Sequence, residues 1–448
     1  MGVSLEAIRR CLDGVIPSTI CTAAADGTPN VTYLSVVNYL DPSHVALSFQ
    51  FFNKTRANIE VNPRAQLWVV DPDSGRQYRL DLVYERTEQS GPVFERMNTR
   101  LIALASLTGM AKVFRLLGAD IYRVLTCEEV APGGSVDGPT EAISPPPTLD
   151  VIAQVTEALS ACTDLEALVT ATLGALRGPM GYEHVVLMLT DETGERLLTV
   201  DSHGAMGSGA GAEIPVGEGV WGTAAAQQRP IRIAQLGRDL LYSRAVRRRV
   251  ETTDRAGTLA KEIPWPGLER PQSLLAVPLG LRGELLGLLA LESARPLRFA
   301  HDDEAAVTVV ARHLSLQLRA LAVADESEPR AAAGIAPADG DRRVRFRYHA
   351  EDDSVFIDDR YVIKGLSGRI LHRLVGLFVA DGRTTFSNKE LRLDAQLRLS
   401  TLRDNLETRL LLLRRRLDDH ATPIRLVRTG RGQLRLEVTG AVELTAAS

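Results

Sequence analysis

The sequence predicts an α+β multidomain chain with three successive cores, on three observations. First, its 448 residues exceed one ordinary domain of roughly 150, and a 45% apolar content is enough to fill several cores. Second, two stretches interrupt the chain: residues 131–147 (APGGSVDGPTEAISPPP) and 326–340 (ESEPRAAAGIAPADG) have no hydrophobic periodicity and are rich in residues that favour extended chain. Third, charge is segregated. From Lys364 to Arg435 there are sixteen Lys/Arg against seven Asp/Glu, a balance of +9 in a chain of net charge -4, so everything outside sums to -13. Domains are expected at 1–130, 148–325 and 341–440. A basic module on an otherwise acidic protein points to a polyanionic partner, nucleic acid first.

Composition excludes several classes. Glu6, Arg9, Arg10 and Asp13 fall where a signal peptide would need an apolar core, and no apolar run approaches the ~20 residues of a membrane span, so a cytoplasmic protein is expected. Cys11, Cys21, Cys127 and Cys162 are scattered without C-x-x-C or Cys/His spacing, which predicts reduced thiols and neither a disulfide framework nor a metal site.

In the first segment, Asn30 to Val37, Val45 to Phe52 and Ala65 to Val70 are β-branched and aromatic runs set off by Asp26-Gly27 and Asp41-Pro42. They predict a short-stranded sheet or barrel. Between the second and third runs lies Lys54-Thr55-Arg56-Ala57-Asn58-Ile59-Glu60-Val61-Asn62-Pro63-Arg64, a polar opening to a short helix whose amides and side chains suit a phosphate. Strand, strand, K-T-R-x-N-I-x-x-N-P-R, strand resembles the flavin-binding split β-barrel of the pyridoxamine phosphate oxidase-like superfamily. The resemblance implies that Lys54, Thr55 and Arg56 hold the phosphate of FMN or a related flavin. It further implies that Leu34, Ser35, Phe49 and Gln50 flank the ring system, in a site built across a dimer. The Arg-x-His pair that true oxidases use is missing downstream, and residues 92–118 read as added helix, which argues against oxidase turnover on a vitamin B6 substrate.

In the middle segment, Leu149 to Ala161 has helical spacing, and Thr163-x-x-Glu166 reads as a capping box opening a second helix. Strands at His184 to Leu189 and Leu197 to Ser202 follow, then a glycine-dense piece, then Ser273 to Ser293 and a closing helix from about Asp302 to Ala322. The succession G-E-G-V-W-G-T-A, R-P-I-R-I, S-L-L-A-V-P-L, G-E-L-L-G-L-L-A-L and F-x-x-x-D-x-x-A resembles a GAF domain. That implies an α/β sandwich with a six-stranded antiparallel sheet, a small-molecule pocket and a dimerising helix pair. Trp221, Tyr242 and Trp265 are the candidate ligand contacts by stacking, with core or lid packing the plainer role for the tryptophans. His184 and His203 read as structural sheet histidines. No nucleophile and base pair is evident.

The last segment predicts three strands, Val344 to Tyr348, Ser354 to Ile357 and Arg360 to Ile363. A helix from Ser367 to Ala380 follows, then one capped by Ser387-x-x-Glu390, then a long one from Ser400 through Asp419. A hairpin, Ile424 to Val427 and Leu434 to Val438, turns through Thr429-Gly430-Arg431-Gly432. Glu407-Thr408-Arg409-Leu410 with Leu413-Arg414-Arg415-Arg416-Leu417 resembles the recognition helix of OmpR-type winged-helix regulators. The resemblance implies that exposed Arg403, Thr408 and Arg409 lie near base edges in the major groove, while Arg414, Arg415, Arg428 and Arg431 meet phosphates. The expected whole is a one-component transcriptional regulator, homodimeric and non-enzymatic, sensing a small ligand or flavin redox state and binding double-stranded DNA. The alternative is a flavin-dependent oxidoreductase with an allosteric GAF domain.

Overall fold

The computed structural model describes residues 2–12, 16–34, 37–49, 53–72, 74–110, 115–130, 145–204, 210–237, 240, 267–325, 343–397, 399, 406–430 and 432–447. It is a mixed α+β protein, with four sheets among the described residues. The chain divides into two compact units: Met1–Pro146 with Gly217–Val277 and Glu292–Ala306, and Pro147–Val216 with Pro278–Leu291 and Val307–Ser448. No helix among the described residues is long and apolar enough to cross a membrane.

The N-terminal sheet has seven strands: β1 (Ser18–Ala23), β2 (Pro29–Leu34), β3 (Val37–Asp41), β4 (His44–Phe49), β5 (Arg64–Val70), β6 (Gln77–Glu88) and β7 (Gly118–Val130), in the order β2-β1-β5-β6-β7-β4-β3. Alternation of buried and partly buried residues along β1, β5 and the first half of β6 gives one face to a core of Ile20, Leu34, Leu67, Leu80, Leu82 and Tyr122. The run expected from Asn30 to Val37 falls in β2 and the start of β3, with Ser35 and Val36 outside the described residues, and β3 hairpins with β4 around Asp41-Pro42-Ser43. Helix α1 (Asn53–Val61) joins β4 to β5, and α2 (Pro92–Leu107) fills most of the added helical stretch.

The middle segment opens with α3 (Leu149–Ser160) and α4 (Leu165–Arg177), followed by β8 (His184–Thr190), β9 (Arg196–His203), β10 (Glu213–Pro215), α5 (Gly219–Gln227), β11 (Ile231–Ile233), β12 (Ser273–Leu281), β13 (Glu284–Ser293) and α6 (His301–Asp325). The six strands run β10-β9-β8-β13-β12-β11. The cap of α4 is Asp164, whose carboxylate accepts the Ala167 amide at 2.9 Å, and not the expected Thr163. A carboxylate one residue nearer the helix is the better acceptor for free amides at the positive end of the helix dipole. Within the first unit α2 lies on α5, and the Gly219 amide, at φ +63°, donates to Ser106 Oγ at 2.9 Å.

The last segment forms β14 (Arg343–His349), β15 (Ser354–Ile357), β16 (Arg360–Ile363), α7 (Leu366–Asp381), β17 (Thr385–Ser387), α8 (Asn388–Leu393), α9 (Leu406–Asp419), the hairpin β18 (Ile424–Gly430) and β19 (Gln433–Val438), and β20 (Ala441–Ala447). The β15–β16 turn puts Asp358 and Asp359 at φ +48° and +65°, a region that short polar side chains tolerate. Ser387 caps α8 as expected, accepting the Glu390 amide at 3.3 Å. Two sheets result, β16-β15-β14-β20 and β17-β19-β18. The last strand, β20, pairs in parallel with β14 over seven residues and was not expected, because Ala-Val-Glu-Leu-Thr-Ala-Ala has weak strand propensity. The core joins Phe346, Ile370, Leu374, Leu410, Leu413, Leu417 and Leu436. The expected helix start at Ser400 lies outside the described residues.

Candidate functional site

Helix α1 presents the predicted phosphate cradle in an unexpected state. Lys54 is exposed, but Thr55 is buried, with Oγ1 accepting from Asn30 Nδ2 at 3.0 Å. Asn30 and Asn58 both also donate to Thr22 Oγ1, at 3.3 and 3.0 Å, so the Thr55 hydroxyl belongs to an internal polar cluster. Arg56 turns into the barrel. Its Nη1 donates to Thr87 Oγ1 (2.6 Å) and Asp120 Oδ1 (2.7 Å), its Nε donates to Glu60 Oε1 (2.8 Å), and the guanidinium lies 5.2 and 5.3 Å from the ring centres of Phe49 and Tyr84. Burial pushes the Asp120 carboxyl above its ordinary value, while the Thr87 hydroxyl and Arg56 pull it down. Burial opposes the charge on Arg56, but Glu60 and Asp120 outweigh it and raise that group.

This donor set does not fit a phosphate. Two carboxylates already share the guanidinium, and an added dianion beside Asp120 would meet repulsion. As folded, Thr55 and Arg56 belong to an internal polar network, and of the three residues expected at the phosphate only Lys54 is exposed. Leu34 is a core residue, 3% exposed, and Phe49 is half-buried beside Arg56. Ser35 and Gln50 lie outside the described residues. Asp120→Asn, by releasing Arg56, should tighten FMN binding about tenfold, or ~1.4 kcal/mol, in a fluorescence-quenching titration. Wild-type protein that already binds FMN as tightly would remove Asp120 as the competitor.

Of the candidate ligand contacts in the middle segment, Trp221 is 3% exposed in α5, where Gly219 to Ala225 are all buried. It packs within the protein and offers no open ring face. Tyr242 and Trp265 lie outside the described residues.

The basic residues of the last segment do converge. On the core side of α9, Leu406, Leu410, Leu413 and Leu417 recur at helical spacing and belong to the module's own core. Flanking that side, Arg409 Nη2 lies 2.5 Å from Glu192 Oε2, and Arg414 makes a two-pronged pair with Glu166 at 2.8 and 3.1 Å. Arg415 pairs with Asp201, and Arg428 of β18 reaches Asp164 Oδ1 at 3.2 Å. Between these pairs Leu412 joins Leu198 and Ala210 in a small apolar cluster. Burial pulls the Arg415 guanidinium down from its ordinary value, with Glu166 and Asp419 opposing. The expectation that Thr408 and Arg409 are exposed is corrected: they are 8% and 7% exposed, because residues of α4, β8–β9 and the adjoining loop cover that side of the helix. Arg403 and Arg431 lie outside the described residues.

Comparison with known proteins covers two of the three segments. Residues 164–318 match the family model described as GAF domain, and residues 4–116 match the one described as Pyridoxamine 5'-phosphate oxidase. Both resemblances drawn from the motifs are thereby supported. No curated protein matches the chain. Among solved structures, an FMN-binding protein from Syntrophomonas wolfei subsp. wolfei is 19% identical, covering 29% of this chain and 97% of that one, with a TM-score of 0.24. Free methionine-R-sulfoxide reductase from Neisseria meningitidis in complex with its substrate is 21% identical over 39% and 89%, with a TM-score of 0.31. The GAF domain of a phosphoenolpyruvate-protein phosphotransferase from Coxiella burnetii is 18% identical over 40% and 96%, also at 0.31. Likenesses this distant assign no activity.

Sequence reasoning missed the four carboxylates, Asp164, Glu166, Glu192 and Asp201, and the barrel's Asp120. One signal for the first group was present. Leu410-Leu411-Leu412-Leu413 places apolar residues all around α9, a pattern that belongs to a helix covered on every side and not to one with a free face.

Proposed function

We propose that the chain is a ligand-responsive regulator, in which the segment similar to a GAF domain senses a small molecule and the C-terminal module, a winged helix, binds double-stranded DNA. The observation that carries this reading is the gathering of Arg409, Arg414, Arg415 and Arg428, from one helix and one hairpin, onto a single face. Such a face is suited to the phosphates of a duplex, with α9 as the groove element and the β18–β19 hairpin as the wing. The order of three strands, three helices and hairpin supports the winged-helix assignment. Exposed Leu149, Val309 and Leu316 on α3 and α6 support a homodimer formed through that helix pair.

The reading is non-enzymatic. Its competitor, a flavin-dependent oxidoreductase, draws support from the match of residues 4–116, and Arg56 paired to Asp120 and Glu60 weighs against it. A mixed-sequence duplex titrated into the protein by fluorescence anisotropy tests the proposal. With four phosphate contacts, affinity should fall on the order of a hundredfold between 50 and 200 mM salt. Absence of binding at 50 mM would sink it.

A further inference from the structure

The arginines that the proposed function assigns to DNA are the same ones that are paired inside the chain. Each of the four guanidinium groups meets a carboxylate of residues 164–201, with side chains 9 to 20% exposed on the arginine side. The carboxylates come from three places: Asp164 and Glu166 at the start of α4, Glu192 in the β8–β9 turn and Asp201 in β9. Their arrangement resembles what a nucleic-acid backbone offers: separate anionic oxygens, one of them accepting two parallel donors, spread along a helix and a hairpin. Arg409 Nε and Arg414 Nε, both buried, have no hydrogen-bond partner among the described residues, so the carboxylates leave donor capacity unused. Leu411 and Leu412, 4% and 2% exposed, would stand in water if α9 were released. That apolar cover gives the closed arrangement a restoring force that does not depend on salt.

We propose that Asp164, Glu166, Glu192 and Asp201 act as stand-ins for phosphates, holding the C-terminal module closed so that DNA must displace them to bind. This inference rests on the DNA-binding reading. Because one of its anchors is the N-cap of α4 and two others lie in or beside β9, a ligand that shifts the sheet of the sensing segment moves the clamp directly. Ligand occupancy and DNA affinity are then coupled through the same carboxylates.

The test uses the full chain with Glu166→Gln, Glu192→Gln and Asp201→Asn together, leaving Asp164 to cap its helix. A charge-matched control carries Asp150→Asn, Glu157→Gln and Glu183→Gln, three exposed carboxylates elsewhere in the same segment. Affinity for a mixed-sequence duplex at 100 mM salt is measured beside thiol reactivity of Leu412→Cys placed in each background. The expected result is at least about tenfold tighter DNA binding than in the control, with faster labelling of Cys at position 412. Equal binding and equal labelling in the two triple variants would overturn the clamp and make this contact permanent packing. Faster labelling without DNA binding in any background would keep the release and overturn the DNA-binding reading on which the phosphate role depends. Thermal melts separate release from unfolding: a variant that labels fast because it has melted counts against the proposal.

Discussion

Gly368→Ala is expected to destabilise the C-terminal module by about 3 kcal/mol or more, a large share of a typical domain stability of roughly 5 to 15. Gly368 sits in the first turn of α7, and a methyl group there would overlap the backbone carbonyl oxygen of Asp353. Flexible side chains can yield to such a methyl, but a carbonyl can do so only if its segment moves. That segment is fixed three ways. Asp353 holds a left-handed φ of +56°, Arg369 Nε and Nη2 donate to its carboxylate at 3.1 and 2.5 Å, and Tyr348 Oη donates to the same group. Burial opposes ionisation of Asp353, but the Arg369 and Tyr348 hydrogen bonds prevail and hold its carboxyl below the ordinary range. The partner variant on the same helix is Gly376→Ala, where nothing lies within 4 Å of the new methyl. It should be neutral or stabilising by up to about 1 kcal/mol, since alanine is the better helix former. Urea denaturation of both proteins checks the pair, and a Gly368→Ala midpoint matching wild type would show that α7 can slide off the β14–β15 turn.

Periodic and capped elements were legible in the sequence, while contacts between distant segments were not. The alternation in β5, the Ser387 cap, the Asp358-Asp359 turn and the β18–β19 hairpin follow from local rules, because each is decided within a few residues. Elsewhere a local rule lost to a neighbour. The Thr163 cap gave way to Asp164 one residue on, and β20 forms because β14 offers it an open edge, which propensity does not register. The barrel site shows the same division more sharply. Lys54-Thr55-Arg56 reads as a cradle because amides, hydroxyl and cation are adjacent, but Asp120 is 64 residues away from Arg56 and takes the cation first. On α9 the arginines were read as exposed DNA contacts, because their partners within the chain, 217 and 248 residues upstream, have no local signature.

Removing Arg414 and Arg415 separates the two roles these residues are given. Arg414→Ala with Arg415→Ala deletes two of the four phosphate contacts, so the slope of log affinity against log salt should become shallower by about 1.8, and the loss between 50 and 200 mM should shrink to about tenfold. The same change frees Glu166 and Asp201, which loosens the closed arrangement and favours binding. At low salt these effects oppose each other, so affinity alone is a poor readout. The slope is the better readout because its main contribution is the counterions released from the duplex at each phosphate contact in the complex. Arg435→Ala serves as the reference: Arg435 lies on β19, exposed and paired with Glu437, outside the arginine face. It should leave the slope unchanged. If the double variant also retained the wild-type slope, Arg414 and Arg415 would be contacts of the closed protein only, and DNA would have to be read by another surface.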